Sequence, residues 1–183
     1  MDEQVTVRRV QPADIAARGA ALAAQLAEVL MDCVAGGASV SFMSPLPTER
    51  ALAFWHGVLE GAASGRRALL VAERAGRIVG TVQLVLDLPD NQPHRADVAK
   101  MLVHRGARRQ GVAQRLMEAL EQQALAEGRD VLVLDTVTGG DAERLYRRAG
   151  WQAVGSVPRY ALMPDGTPCG TTFYFKQLAA ARG

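Results

Sequence analysis

Six residues, Arg108-Arg109-Gln110-Gly111-Val112-Ala113, carry the clearest chemical message in the chain. They lie between an apolar strand candidate, Ala96–His104, and a helix candidate, Gly111–Glu127. Backbone N–H groups at a helix start have no intrahelical acceptor and carry the positive end of the helix dipole. A turn there can hold a pyrophosphate. Gly111 lets the backbone approach an anion with no side chain in the way, and two arginines offer forked phosphate donors. The familiar nucleotide loops do not fit, because the chain has neither GxxxxGK[ST] nor the GxGxxG glycines at this turn.

Two carboxylates are the next candidates. Asp97 stands near the start of the central strand, and Asp135 stands in the apolar run Val131–Val137. A carboxylate among Leu132, Val133, Leu134 and Val137 is costly to bury without a partner, and burial raises its pKa toward that of a useful base. Asp135 can instead act as a turn partner for Gly139-Gly140, and Asp97 as a surface strand end. In a regular strand Asp97, Ala99, Met101 and Val103 share one face.

The elements that position these groups follow from hydrophobic period and turn residues. Gln4–Val10 alternates as a strand, and Pro12 opens a helix whose apolar stripe runs through 15, 22, 26, 29, 30 and 33 to Gly36-Gly37. An uncharged loop, Gly36–Pro47, leads to a second helix over Thr48–Gly61, in which Trp55 is expected to pack in the core. Ala68–Arg74 and Arg77–Leu88 flank Ala75-Gly76 as a hairpin, and Asp87–His94 is a loop. After the central strand and its turn, residues 112, 116, 120 and 124 give the next helix one apolar face. Val131–Val137, a helix over Asp141–Ala149, and strands Gln152–Leu162 and Thr171–Leu178 complete the chain, with Pro164-Asp165-Gly166 turning between the last two.

At 183 residues this is one domain, 1–183, of mixed α/β (α+β) class. A net charge of +2 with scattered basic residues argues against a nucleic-acid footprint. All but two of the 21 basic residues are arginine, the exceptions being Lys100 and Lys176; this reads as a composition bias that lowers the weight of single arginines. Cys33 and Cys169 form no CxxC, and His56, His94 and His104 are isolated, so no disulfide framework or metal site is expected. The charged start, MDEQVTVRRV, lacks a signal peptide's apolar core, and the longest uncharged run, Cys33–Thr48, is too broken to span a bilayer. The expected location is the cytoplasm, with no membrane partner.

With its preceding strand Lys100–Val103, the turn Arg108-x-x-Gly111-x-Ala113 resembles the pyrophosphate loop of the GCN5-related N-acetyltransferases (GNAT). Asp141–Trp151 resembles that family's next block at Ala142, Leu145, Tyr146, Gly150 and Trp151, while Gly139 stands where the family has asparagine. The element order βααβββαβαββ is also the family's. The resemblance implies a single acyltransferase fold, a mixed central sheet of about seven strands flanked by four helices, with acetyl-CoA as co-substrate and no metal. It also implies that Met101, Leu102 and Val103 hold the thioester arm through their main chain. Arg108, Arg109, Gln110, Gly111, Val112 and Ala113 then hold the pyrophosphate, and Tyr146 protonates the departing thiolate. Asp97 and Asp135 would orient or deprotonate the acceptor amine, directly or through water.

Three outer blocks, Gly36–Val40, Pro164–Gly166 and Tyr174-Phe175-Lys176, resemble the tabtoxin-resistance acetyltransferase group. The expected acceptor is accordingly a primary amine on a small molecule of toxin or antibiotic type, with resistance as the role. A homodimer through the terminal strands agrees with the resemblance. Acetylation of a protein N-terminus or lysine, or coenzyme binding by a regulator without turnover, are the alternatives.

Overall fold

The computed structural model describes residues 4–179; Met1–Glu3 and Ala180–Gly183, which belong to the expected domain and charged start, lie outside the described residues. The elements are β1 (Thr6–Arg9), α1 (Pro12–Ala35), α2 (Thr48–Ala63), β2 (Arg67–Arg74), β3 (Arg77–Val85), β4 (Arg95–Val103), α3 (Val112–Ala126), β5 (Val131–Val137), α4 (Asp141–Arg148), β6 (Gln152–Leu162) and β7 (Pro168–Gln177). A short 3₁₀ turn, Arg105–Ala107, follows β4. Seven strands form one sheet in the order β1-β2-β3-β4-β5-β7-β6, as the mixed-sheet expectation held. Only β4 and β5 run parallel.

Each helix forms where its apolar stripe can be buried. Leu22, Leu26, Val29, Leu30 and Cys33 of α1 are buried, as are Val112, Leu116, Leu120 and Ala124 of α3. Helices α1 and α2 cover one face of the sheet around Leu69, Val71, Ile78 and Leu102, with Trp55 fully buried among them. Helix α3 covers the other face around Leu70, Val82, Leu84, Val98 and Leu132, joined by Tyr146 of α4 and by Trp151. The hairpin between β2 and β3 turns on Ala75 (φ 53°) and Gly76 (φ 71°), the left-handed pair a tight two-residue connection needs.

Two irregularities of β4 shape the site. It pairs with β5 only over Arg95–Asp97 against Val131–Val133, and beyond that the two strands part. It also carries a bulge: Thr81 faces Leu102 while Gln83 faces Ala99, and Lys100 adopts φ 51°. An extra residue reverses the face of everything after it. Asp97 and Ala99 therefore do not share a face with Met101 and Val103, contrary to the regular-strand expectation. Met101 and Val103 pack toward α3, and the intervening Leu102 packs toward α1 and α2.

Among the described residues no helix is long and apolar enough to cross a membrane, and no group of three or more His, Cys, Asp or Glu side chains gathers as a metal site.

Candidate functional site

The site is a gap in the sheet with one group of residues on each side. Because β4 and β5 part after Asp97 and Val133, their outer ends leave a wedge that opens to both faces. On the α3 side the wedge meets the turn 104–111 and the start of α3. Gly111 caps that helix in the left-handed conformation (φ 75°), and Arg115 is the residue that donates back to the Gly111 carbonyl, at 3.1 Å. The first helical N–H groups ahead of Arg115 are thus available to an anion. A Cβ at Gly111 would meet nothing within 4 Å. Gly111→Ala is therefore expected to lower stability by about 1 kcal/mol, through backbone strain alone; urea unfolding measures it.

The arginines of the turn do different work. Arg108 folds back: its Nε donates to the Val103 carbonyl at 3.2 Å, and its Nη2 lies 3.9 Å from Cys33 Sγ. The Cys33 thiol also points at that carbonyl, at 3.4 Å. Arg108 thus ties the end of β4 to α1, whereas Arg109, exposed like Arg108, forms no such tie. Gln110 is held from both sides, accepting from Arg74 at 2.7 Å and donating to the Gly106 carbonyl at 3.3 Å. Val112 is buried and anchors the helix start, with Ala113 half-buried beside it.

Tyr146 approaches the wedge from α4 on the same side. It is 5% exposed, with ring centroids 5.9 Å from Trp151 and 6.1 Å from Tyr174. Burial raises its pKa well above the usual phenol value, and the negative charge of Asp135 raises it further. Asp141, the acidic residue near the Gly139 that replaces the family asparagine, is exposed and paired with Arg144.

The carboxylates occupy the opposite face. Leu132 and Leu134 point into the core beside α3, so alternation sends Asp135 to the other face, where it is exposed. Helices α1 and α2 pack on β2, β3 and β4 and do not extend over β5. Asp135 stands on this uncovered surface, open at its edge. Enough water is still withheld there to push its carboxyl above the usual range; Lys100 counters that rise and Asp97 adds to it. Asp97 itself is ion-paired with Arg95. Asp135 links the residues named from sequence: Asp97 raises its pKa, and its charge in turn raises that of Tyr146.

Four residues to which the sequence assigns no role in the site, Lys100, Ser41, Phe42 and Phe54, complete this face. The Lys100 ammonium donates to Ser41 Oγ at 3.1 Å and lies 5.6 Å from the Phe54 ring centroid. Phe54 meets Phe42 edge-on at 5.3 Å, and Arg67 lends Lys100 a like-charge neighbour. The loop 36–47 that carries Ser41 and Phe42 is tied to the β6–β7 hairpin, Ser39 Oγ donating to Leu162 O at 2.8 Å and Ser44 N to Pro164 O at 2.9 Å. Two outer sequence blocks thus form one rim. Lys100 could have been noticed from its rarity, since only one other lysine exists.

A sequence model of the Acetyltransferase (GNAT) family matches residues 38–151, from this rim through β4, α3 and α4 to Trp151. The chain belongs to the GNAT family. This GNAT chain is 35% identical over 112 residues to a protein of Azospirillum brasilense described as an uncharacterized N-acetyltransferase in the hisH-hisA intergenic region. The aligned stretch covers 60% of the chain and 65% of that relative, just under two thirds of the relative's length. Among solved structures it shares its fold with yncA of Salmonella typhimurium, solved with its cofactor acetyl-CoA (TM-score 0.74, 20% identity, covering 98% and 96% of the two chains). It also shares the fold of a ribosomal-protein-alanine N-acetyltransferase from Brucella melitensis (TM-score 0.75, 23% identity, covering 94% and 99%). The GNAT match takes in the turn, the wedge strands and the Tyr146 block together, which accounts for their register in the sequence.

Proposed function

We propose that the protein transfers an acetyl group from acetyl-CoA to a primary amine on a small molecule, of the toxin or antibiotic type that the outer-block resemblance implies. The observation that carries this reading is the two-sided wedge between β4 and β5. A pyrophosphate-binding helix start and Tyr146 lie on one side of it, and carboxylates lie on the other. Donor and acceptor can then meet from opposite faces, as direct attack requires.

In this reading the turn 108–113 holds the pyrophosphate mainly through backbone N–H groups, with Arg109 adding charge. Main chain of Met101–Val103 aligns the thioester, although the Val103 carbonyl is already occupied by Arg108 and Cys33. Asp135 takes the amine proton, with Asp97 behind it and paired to Arg95. Tyr146 presents its O–H to the departing sulfur. The uncovered edge strand β6, which exposes Val154, Val157, Tyr160 and Leu162, is the surface that the expected homodimer would use.

A thiol-release assay with acetyl-CoA and a panel of small amines and peptides tests the proposal. Turnover of small amines supports it, turnover of peptides alone gives the protein-acetylation alternative, and tight acetyl-CoA binding with no turnover gives the regulator. Arg109→Glu is expected to weaken acetyl-CoA binding by roughly 3- to 10-fold at low salt, and by less as salt rises. Calorimetric titration at two ionic strengths measures this.

A further inference from the structure

The chain has two lysines, and the fold uses them differently. The Lys176 ammonium is saturated: it donates to both carboxylate oxygens of Glu121 at 2.7 and 2.8 Å and to the Ala149 carbonyl at 2.6 Å. The Lys100 ammonium has one hydrogen bond, to Ser41 Oγ, and the face of Phe54. Asp135 is near enough to favour its charge, yet no carboxylate among the described residues forms an ion pair with it. Arg67 adds a second positive charge nearby, and the surrounding protein disfavours the ammonium by desolvation. A cation withdrawn from water in this way is costly until an anion meets it.

The backbone goes out of its way to place this charge. Lys100 is a non-glycine residue at φ 51° on a bulge, a conformation that costs on the order of 1 kcal/mol. The bulge places the side chain beneath the loop 36–47 and against Phe54 of α2, within electrostatic reach of Asp135. The chemistry also distinguishes lysine here from the arginine this chain otherwise prefers. An ammonium is a compact charge whose donors diverge, so one can hold Ser41 while others meet a ligand.

The face beside the wedge between β4 and β5 thus has an acidic pole at Asp135 and a basic pole at Lys100. We infer that the acceptor is an amine that also bears an oxyanion such as a carboxylate, and that Lys100 binds that oxyanion while Asp135 receives the amine. This rests on the acetyl-transfer reading above and narrows its substrate class.

The test uses amine pairs that differ only in this group, such as β-alanine and β-alaninamide, with wild type, Lys100→Met and Lys100→Arg in the thiol-release assay. Wild type is expected to favour the carboxylate member by about 10- to 100-fold in kcat/KM. Lys100→Met should erase that preference, the carboxylate member losing far more kcat/KM than the amide member when both are assayed at a pH above the acid limb set by Asp135, and Lys100→Arg should keep part of it. An equal fall of both members in Lys100→Met would make Lys100 a latch for the Ser41 loop and overturn the inference. So would a wild type without preference.

A readout independent of turnover follows from the lysine count. With ¹³Cε-labelled lysine the chain has two side-chain signals. In the presence of coenzyme A, β-alanine should shift the Lys100 signal and spare that of Lys176, and β-alaninamide should shift neither. That response in a protein that acetylates no amine would leave the anion site standing and defeat acetyl transfer. Its absence in an active enzyme would defeat the anion site alone.

Discussion

Replacing Tyr146 with phenylalanine is expected to lower kcat by about 10²-fold, the scale of one general-acid contribution, and to leave the Kd for acetyl-CoA within about twofold. The substitution is conservative in shape. The ring is packed against Trp151 and Tyr174, and phenylalanine can occupy the same volume, so the hydroxyl is the only group removed. Burial and the charge of Asp135 hold the phenol above its ordinary pKa, so it stays protonated throughout the working range. An alkaline limb in the pH–rate profile should therefore not arise from Tyr146. In the acetyl-transfer reading its role is a hydrogen bond to the sulfur as negative charge builds there. Stopped-flow or steady-state thiol release gives kcat, and fluorescence or calorimetric titration gives Kd. An unchanged kcat would reduce Tyr146 to a packing residue of α4. A collapse of coenzyme affinity would place its hydroxyl in ground-state binding instead.

Much of this site could be read from residues alone, and what could not has identifiable causes. Apolar period is a reliable guide where a helix lies on a sheet, so the stripes of α1 and α3 and the run Val131–Val137 appear in the structure nearly as the sequence implies. The glycine and arginine spacing of 108–113 likewise marks a helix start next to a strand. The bulge at Lys100 was illegible because RADVAKMLV has no glycine or proline to mark it, and one extra residue reverses every later side chain. Sequence gives Arg108 a charge and not a direction, and its Nε contact with the Val103 carbonyl is one that the spacing of 108–113 does not announce. A carboxylate in the apolar run Val131–Val137 implies a pKa raised by burial, and desolvation is the largest cause of the rise at Asp135; that Lys100 and Asp97 act on it from β4 is what the run does not show. That is a property of tertiary packing, which no local pattern encodes. Ser41, Phe42, Phe54 and Lys100 come together from three separate elements for the same reason.

Asp135→Asn should lower kcat/KM by on the order of 10²- to 10³-fold while making the protein more resistant to unfolding at neutral pH. The two effects have one origin. In the folded state the carboxyl is held above the pKa it has in the unfolded chain, so ionisation is disfavoured by folding. Stability linked to this group is full below the unfolded pKa and is lost as pH rises through the folded one. Asparagine cannot ionise, so the variant keeps what the wild type gives up, and thermal unfolding at pH 7 should show a higher Tm for the variant.

Catalysis runs the other way, because only the ionised carboxylate can accept the amine proton. The acid limb of kcat/KM should therefore lie above the ordinary carboxylate range in wild type. Burial and two charged groups of β4, Lys100 and Asp97, set its position. Lys100→Met removes the positive charge and should move the limb to higher pH. Asp97→Asn removes the like charge and should move it to lower pH. Opposite shifts from two residues of one strand are difficult to obtain from any titrating group other than the one between them. If both variants leave the limb in place, or if Asp135→Asn retains wild-type kcat/KM, the base lies elsewhere and Asp135 serves only the charge balance of the cleft.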